Sequence, residues 1–155
     1  MSTSPFLIRP ATPSDAATIS EVVARSLRTS NASDYPPSVV EAVVAGYSAE
    51  RIAELMAVRR TLVALESDIV VGTVSLEGAE VQSLFVSPER QGGGIGASLM
   101  KAAEALARAD GLDVLRLASS VTAEPFHRKL GYAPQGEKHG PGGRLILLEK
   151  RLDPA

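Results

Sequence analysis

Leu84-Phe85-Val86-Ser87-Pro88-Glu89-Arg90-Gln91-Gly92-Gly93-Gly94-Ile95-Gly96-Ala97 is the stretch on which the reading of this 155-residue chain turns. An apolar run ends at Val86, Pro88 breaks it, and four glycines follow before Ala97, Leu99, Met100, Ala103, Leu106 and Ala107 set up helical spacing that Gly111 ends. A strand, a glycine turn and a helix N-terminus are therefore predicted in succession. Glycines let backbone approach a ligand closely, while the free N–H groups and dipole of a helix's first turn favour an anion. The combination predicts a phosphate-binding turn.

The elements on either side narrow the fold. Upstream, Thr61 to Glu66, Ile69 to Leu76 and Glu80 to Val86 are strand-like runs separated by Ser67-Asp68 and Glu77-Gly78-Ala79, which predicts an antiparallel meander. Before it, Phe6 to Arg9 reads as a short edge strand. Thr12 is placed to N-cap a helix with Pro13 at its first position, with Ala16, Ile19, Val23, Ser26 and Leu27 on one apolar face. A second helical region, 38–46 and 48–59, is broken at Gly46. Downstream come a strand at Val114 to Ala118, a short helix from about Thr122 to Gly131, and strands at 132–135 and 144–152 separated by the Gly/Pro-rich residues 136–143. The strand-helix-strand unit in the middle implies one parallel pair in an otherwise antiparallel sheet, a mixed α/β domain spanning 1–155 with helices on both faces.

Composition excludes several classes. The hydrophobic and charged fractions, 45% and 22%, are those of a globular domain, with no apolar stretch of membrane-spanning length. The opening residues lack a secretory pattern, so a cytoplasmic location is expected. Sixteen basic and eighteen acidic residues supply no overall pull toward nucleic acid, and without Trp, and with three Phe and three Tyr, base stacking is poorly provided for. With no Cys and only His127 and His139, no metal site is expected.

Three phosphate-binding readings compete at the turn. A Walker loop needs Lys and then Ser or Thr after its last glycine, where this chain has Ala97-Ser98. Gly92-x-Gly94-x-x-Ala97 meets the loose dinucleotide fingerprint, but the next strand ends in Ser119-Ser120 rather than an acidic residue, and the preceding meander is antiparallel. In the third reading, Gln91-Gly92-Gly93-Gly94-Ile95-Gly96 resembles the (Gln/Arg)-x-x-Gly-x-(Gly/Ala) motif of the GNAT N-acetyltransferases. Leu84-Phe85-Val86 with Pro88 is similar to the strand that precedes it in that family. Ser119 to Tyr132, with Phe126-His127 and Leu130-Gly131-Tyr132, resembles the family's second signature.

The resemblance implies acetyl-coenzyme A as co-substrate. The N–H groups of Gly92, Gly93, Gly94, Ile95, Gly96 and Ala97, with Gln91, would hold the pyrophosphate, and Phe85 and Val86 the pantetheine arm. In the family the strand carrying those two is bulged and splays from its parallel neighbour, freeing backbone groups to pair with the pantetheine amides like an added strand. Ser120 stands where the family usually has a cofactor-binding Asn, and His127 where it has the Tyr that protonates the departing thiolate. His127 is the candidate acid in its place.

Attack on a thioester requires a neutral amine, and Glu80, eleven residues before Gln91, is placed like the base of histone-acetylating members. The Val86 N–H is the expected donor to the charge developing on the thioester oxygen. The acceptor, a small-molecule or peptide amine, would be bordered by residues 28–37 and 137–143. There Tyr35 and His139 are the polar candidates, with a solvated loop as the ordinary expectation for both. A non-catalytic acyl-coenzyme A binding module is the alternative, and exposed edge strands make a homodimer plausible.

Overall fold

The computed structural model describes residues 6–140 and 143–153, so Pro141 and Gly142 of the 137–143 segment lie outside it. Its elements are β1 (Leu7–Pro10), a 3₁₀ turn (Pro13–Asp15) leading into α1 (Ala16–Ser30), α2 (Pro37–Ala45), α3 (Ala49–Met56), β2 (Arg60–Glu66), β3 (Ile69–Glu77), β4 (Glu80–Val86), a 3₁₀ turn (Pro88–Arg90), α4 (Ile95–Ala109), β5 (Val114–Ser120), α5 (Glu124–Lys129), β6 (Ala133–Gly140) and β7 (Gly143–Arg151). The seven strands form one sheet in the order β1-β2-β3-β4-β5-β7-β6. Every neighbouring pair is antiparallel except β4 and β5. The mixed α/β architecture expected from the sequence is the one observed.

Local chemistry explains the boundaries. Thr12 donates its backbone N–H to Asp15 Oδ2 at 2.8 Å and Arg9 pairs with the same carboxylate, fixing the entry into α1. Asp15 is thereby held below the usual carboxylate range, chiefly by the hydrogen bond from Arg9. Gly46 ends α2, and Ser48 caps α3 by accepting the Arg51 N–H at 3.1 Å, so the expected break between two helical pieces is where it was placed.

Two cores flank the sheet. On one face, α4 packs Leu99, Met100, Ala103 and Ala107 onto Val74, Val81, Leu115 and Leu148. On the other, α1 to α3 pack Ile19, Val23, Val40 and Ile52 onto Val63, Leu65 and Val70. Beneath α4, Tyr132 donates its hydroxyl to buried Glu104 at 2.8 Å, and Lys150 completes the group at 3.2 Å. Burial, then the adjacent Glu104, pushes the Tyr132 hydroxyl well up, so it stays a donor.

Element ends shift by up to three residues from expectation, as at α3, which ends at Met56 rather than Arg59, and the largest departure is in the C-terminal hairpin. Residues 136–140 continue β6 rather than forming a loop, with an irregularity between Pro134 and Gly136. The reason is position. β6 is an edge strand whose residues are all exposed, so it needs hydrogen bonds on one side only and tolerates a proline and a bulge.

Candidate active site

β4 and β5 are in register only at Glu80 with Arg116 and Val81 with Leu117. Beyond Val81 the strands part, although β4 runs on to Val86 and β5 to Ser120. The cause lies in β4. Opposite β3, Thr73 faces Phe85 and Ser75 faces Gln82, so Ser83 and Leu84 together oppose Val74 in a bulge. Ser83 has φ of 58°, a left-handed conformation unusual for a residue with a side chain.

The parting leaves backbone groups available. Ser87 donates its N–H to Val71 on β3 at 2.8 Å, so by strand alternation the N–H groups of Val86 and Leu84 point the other way, into the opening toward β5. Phe85 turns its ring to the α1–α3 side, edge-on to Tyr47 at 5.5 Å, while Val86 packs on the α4 side.

The glycine turn closes one end of this opening. Gly92 and Gly94 have φ of 86° and 88°, where a side chain would strain the backbone. Gly94 is the N-cap of α4, and Ser98 is the first residue whose N–H reaches back into the helix, to the Gly94 carbonyl at 3.0 Å. Helix geometry thus leaves the N–H groups of Ile95, Gly96 and Ala97 without helical acceptors. The Ile95 side chain is buried in the core beneath, so this residue offers the turn only its backbone. At Gly96 a side chain would press on the Phe126 ring, 3.2 Å from an added Cβ, so α4 and α5 approach closely there. Gln91 is engaged differently. Its side-chain amide donates to Ser30 Oγ at 2.9 Å and to the Val86 carbonyl at 3.2 Å, tying the turn to the end of α1 and to β4. Arg25 of α1 also pairs with Glu89.

The second signature lies across the opening. Ser120 Oγ accepts the Ala123 N–H at 3.1 Å, capping the turn into α5 while keeping its own O–H to donate. His127 is 5% exposed, edge-on to Phe126 and Tyr132 with centroids 5.0 and 6.0 Å away. Its Nδ1 has no hydrogen-bond partner, and burial pushes its pKa down to about 4. The imidazole is therefore neutral at physiological pH and holds no second proton to give. Glu80 is exposed at the closed end of the opening, three residues or about 10 Å of strand from Ser83.

Tyr35 overturns the expectation of a solvated loop residue. It is buried, accepting the Val121 N–H at 2.8 Å and donating to the Arg144 carbonyl at 2.7 Å, while neighbouring Asp34 accepts from Thr122 at 2.7 Å. These bonds fasten the loop between α1 and α2 to the ends of β5 and β7. Tyr35→Phe deletes both hydroxyl bonds and leaves the half-buried Val121 N–H unpaired, for an expected loss of about 2 kcal/mol in urea unfolding. A loss below about 0.5 kcal/mol would show the fastening to be superfluous. His139, by contrast, is exposed, 3.8 Å from Glu137.

Sequence reasoning missed Tyr47, Arg59 and Ser83, which meet beneath the bulge: Tyr47 Oη and Arg59 Nη1 lie 2.9 and 3.3 Å from Ser83 Oγ. One signal was available. Val81, Leu84 and Val86 line the same face, and a spacing of three followed by two marks an extra residue in the strand.

A family model described as an acetyltransferase (GNAT) domain matches residues 31–143. An IAA acetyltransferase of Azospirillum brasilense is 38% identical over 104 residues, covering 60% of this chain and 68% of that protein. The crystal structure of a GCN5-related N-acetyltransferase from Rhodopseudomonas palustris, also called Aminotransferase, Class-II, superposes with a TM-score of 0.92 at 29% identity, covering 98% of this chain and 99% of its own. The PaiA N-acetyltransferase of Thermoplasma acidophilum, in complex with coenzyme A, shares the fold at a TM-score of 0.82 and 20% identity, over 95% and 99% of the two chains. With an open β4 edge, a glycine turn on a helix N-terminus and a family model spanning most of its length, the chain belongs to the GNAT acetyltransferase family.

Proposed function

We propose that the protein transfers an acetyl group from acetyl-coenzyme A to a primary amine of a small molecule or peptide, by direct attack while both are bound. The observation that carries this reading is the parting of β4 from β5 beside the glycine turn. The N–H groups of residues 92–97 suit a pyrophosphate, and those of Leu84 and Val86 suit an extended amide chain laid along β4. Coenzyme A in the PaiA complex is a property of that protein, and the shared fold makes the same ligand the natural one to test here.

Acetyl-coenzyme A supplies the activated acyl group. The chain supplies position and polarity: the Val86 N–H faces the opening where charge would develop on the carbonyl oxygen, and Ser120 has an O–H to offer from β5. Glu80 stands too far along the strand for direct contact at the bulge, so its part as base runs through water. His127 serves as acid only if the bound co-substrate raises its pKa from about 4.

The test is rapid-mixing acetyl transfer with a panel of polyamines, aminoglycosides, amino acids and peptides. It compares the parent with Glu80→Gln and His127→Phe. The expected result is an acetylated amine, with Glu80→Gln lowering the rate about tenfold or more through loss of the base. Tight coenzyme A binding with no amine acetylated would instead identify a non-catalytic acyl-coenzyme A binding module.

A further inference from the structure

Among the described residues, Ser67, Asp68 and Ser83 are the non-glycine residues with positive φ. Ser67 and Asp68 form the β2–β3 hairpin turn, where that conformation reverses the chain. Ser83 lies inside a central strand, where nothing about chain reversal requires it. A strained residue in such a place persists only if its surroundings hold it there.

Packing beneath it is incomplete. The space beneath Ser83 is a small cavity of about 20 Å³ bounded by Ile19, Val23, Ile52, Leu55, Thr61 and Thr73, among others. Hydrogen bonds reach across instead. Tyr47 Oη lies 2.9 Å from Ser83 Oγ, and Arg59 Nη1 donates to the same oxygen at 3.3 Å. Both partners are themselves anchored. Tyr47 accepts at its carbonyl from Ser20 of α1 at 2.6 Å and sets its ring against Phe85. Arg59 has a side chain only 16% exposed and donates its Nε to Glu77 at 3.0 Å.

The conformation at Ser83 has a consequence one residue on. A strand that loses its extra residue slips by one, and every later side chain and N–H changes sides. The bulge therefore decides that Leu84 and Val86 aim their N–H groups into the opening. We propose that Tyr47 and Arg59 are positioning residues for the acyl-bearing arm of the co-substrate: they hold Ser83 left-handed and so keep the β4 donors aimed at it. This rests on the function proposed above, and its test separates the two.

Calorimetric titration of the full chain with acetyl-coenzyme A, and with adenosine 3′-phosphate 5′-diphosphate, which lacks the pantetheine arm, reads the two halves of the site independently. Tyr47→Phe is expected to weaken acetyl-coenzyme A about fivefold to tenfold while changing the nucleotide less than about twofold. Glycine adopts the left-handed conformation without help, so in a Ser83→Gly background the same Tyr47→Phe change is expected to cost less than about twofold. Equal losses for both ligands, no loss for either, or the same loss in both backgrounds would each overturn the positioning role. A parent protein that binds neither ligand overturns the functional reading beneath it. Should Tyr47→Phe not fold by thermal melting, Arg59→Lys, which keeps the charge and loses the fork geometry, carries the same comparison.

Discussion

Gly94→Val should weaken acetyl-coenzyme A binding by about a hundredfold while leaving the protein folded. Gly94 sits at φ 88° and ψ 0° as the N-cap of α4. A β-branched residue there costs on the order of 1–3 kcal/mol, and the turn can escape only by rotating to negative φ. That rotation redirects the Gly94 carbonyl, which accepts the Ser98 N–H, and the donors of Ile95 and Gly96 that follow. Hydrogen bonds to a charged group contribute about 1.5–3 kcal/mol each, so misaiming two of them accounts for a hundredfold. The fold tolerates the change because an added Cβ at Gly94 meets nothing within 4 Å. Gly94→Asn, which visits the left-handed region more readily, should fall between the two. Calorimetric titration with a melting curve for each variant checks this. Binding by Gly94→Val at parent affinity would mean the turn does not hold the co-substrate.

The backbone geometry of the glycine turn was legible in the sequence because its requirements are local. A glycine run between a strand and a helix fixes left-handed backbone and free N–H groups within a few residues, and the structure has Gly92 and Gly94 left-handed with α4 starting at Ile95. The break at Gly46 was legible for the same reason: a helix stop acts on the residues beside it. Long-range groupings were not. Tyr35 is 86 residues from Val121 and 109 from Arg144, and nothing in its neighbourhood distinguishes a fastening hydroxyl from a solvated one. Tyr47 and Ser83 are 36 residues apart and meet only because α1 to α3 fold over the bulge.

β6 shows the complementary error. Residues 136–140 read locally as a loop, and only their place at the sheet edge, with one side unpaired, lets them continue the strand past Pro134. Gln91 is intermediate. Its place at the start of the turn was expected, and its side chain bonds Ser30 and Val86 rather than being left free for a ligand.

His127 bears on the acceptor chemistry and has a stability signature that can be read without any substrate. Its folded-state pKa of about 4 lies below the 6.5 of an exposed imidazole, and desolvation is the cause. Between those values the unfolded chain binds a proton at this residue and the folded chain does not. Stability therefore rises with pH across the window, is complete above about 6.5, and is lost as pH falls toward 4. At about 1.4 kcal/mol per pH unit, the whole span is worth about 3 kcal/mol. The hydrogen-bonded carboxylates Asp15, Glu41 and Glu137 are held below their ordinary values by their Arg partners, so they lose their contributions mainly at lower pH. Urea unfolding at pH 7, 6, 5 and 4.5 should show the parent weakening across this range and His127→Phe weakening far less. Equal slopes would place His127 in an open, ordinary environment and restore it as a proton donor in the free protein. The expected slope instead means that an acid role at neutral pH depends on the bound co-substrate changing the ring's surroundings. Repeating the titration with coenzyme A present then decides the matter: a loss of the His127-dependent slope identifies a raised pKa, whereas an unchanged slope leaves the departing thiolate to take its proton from water.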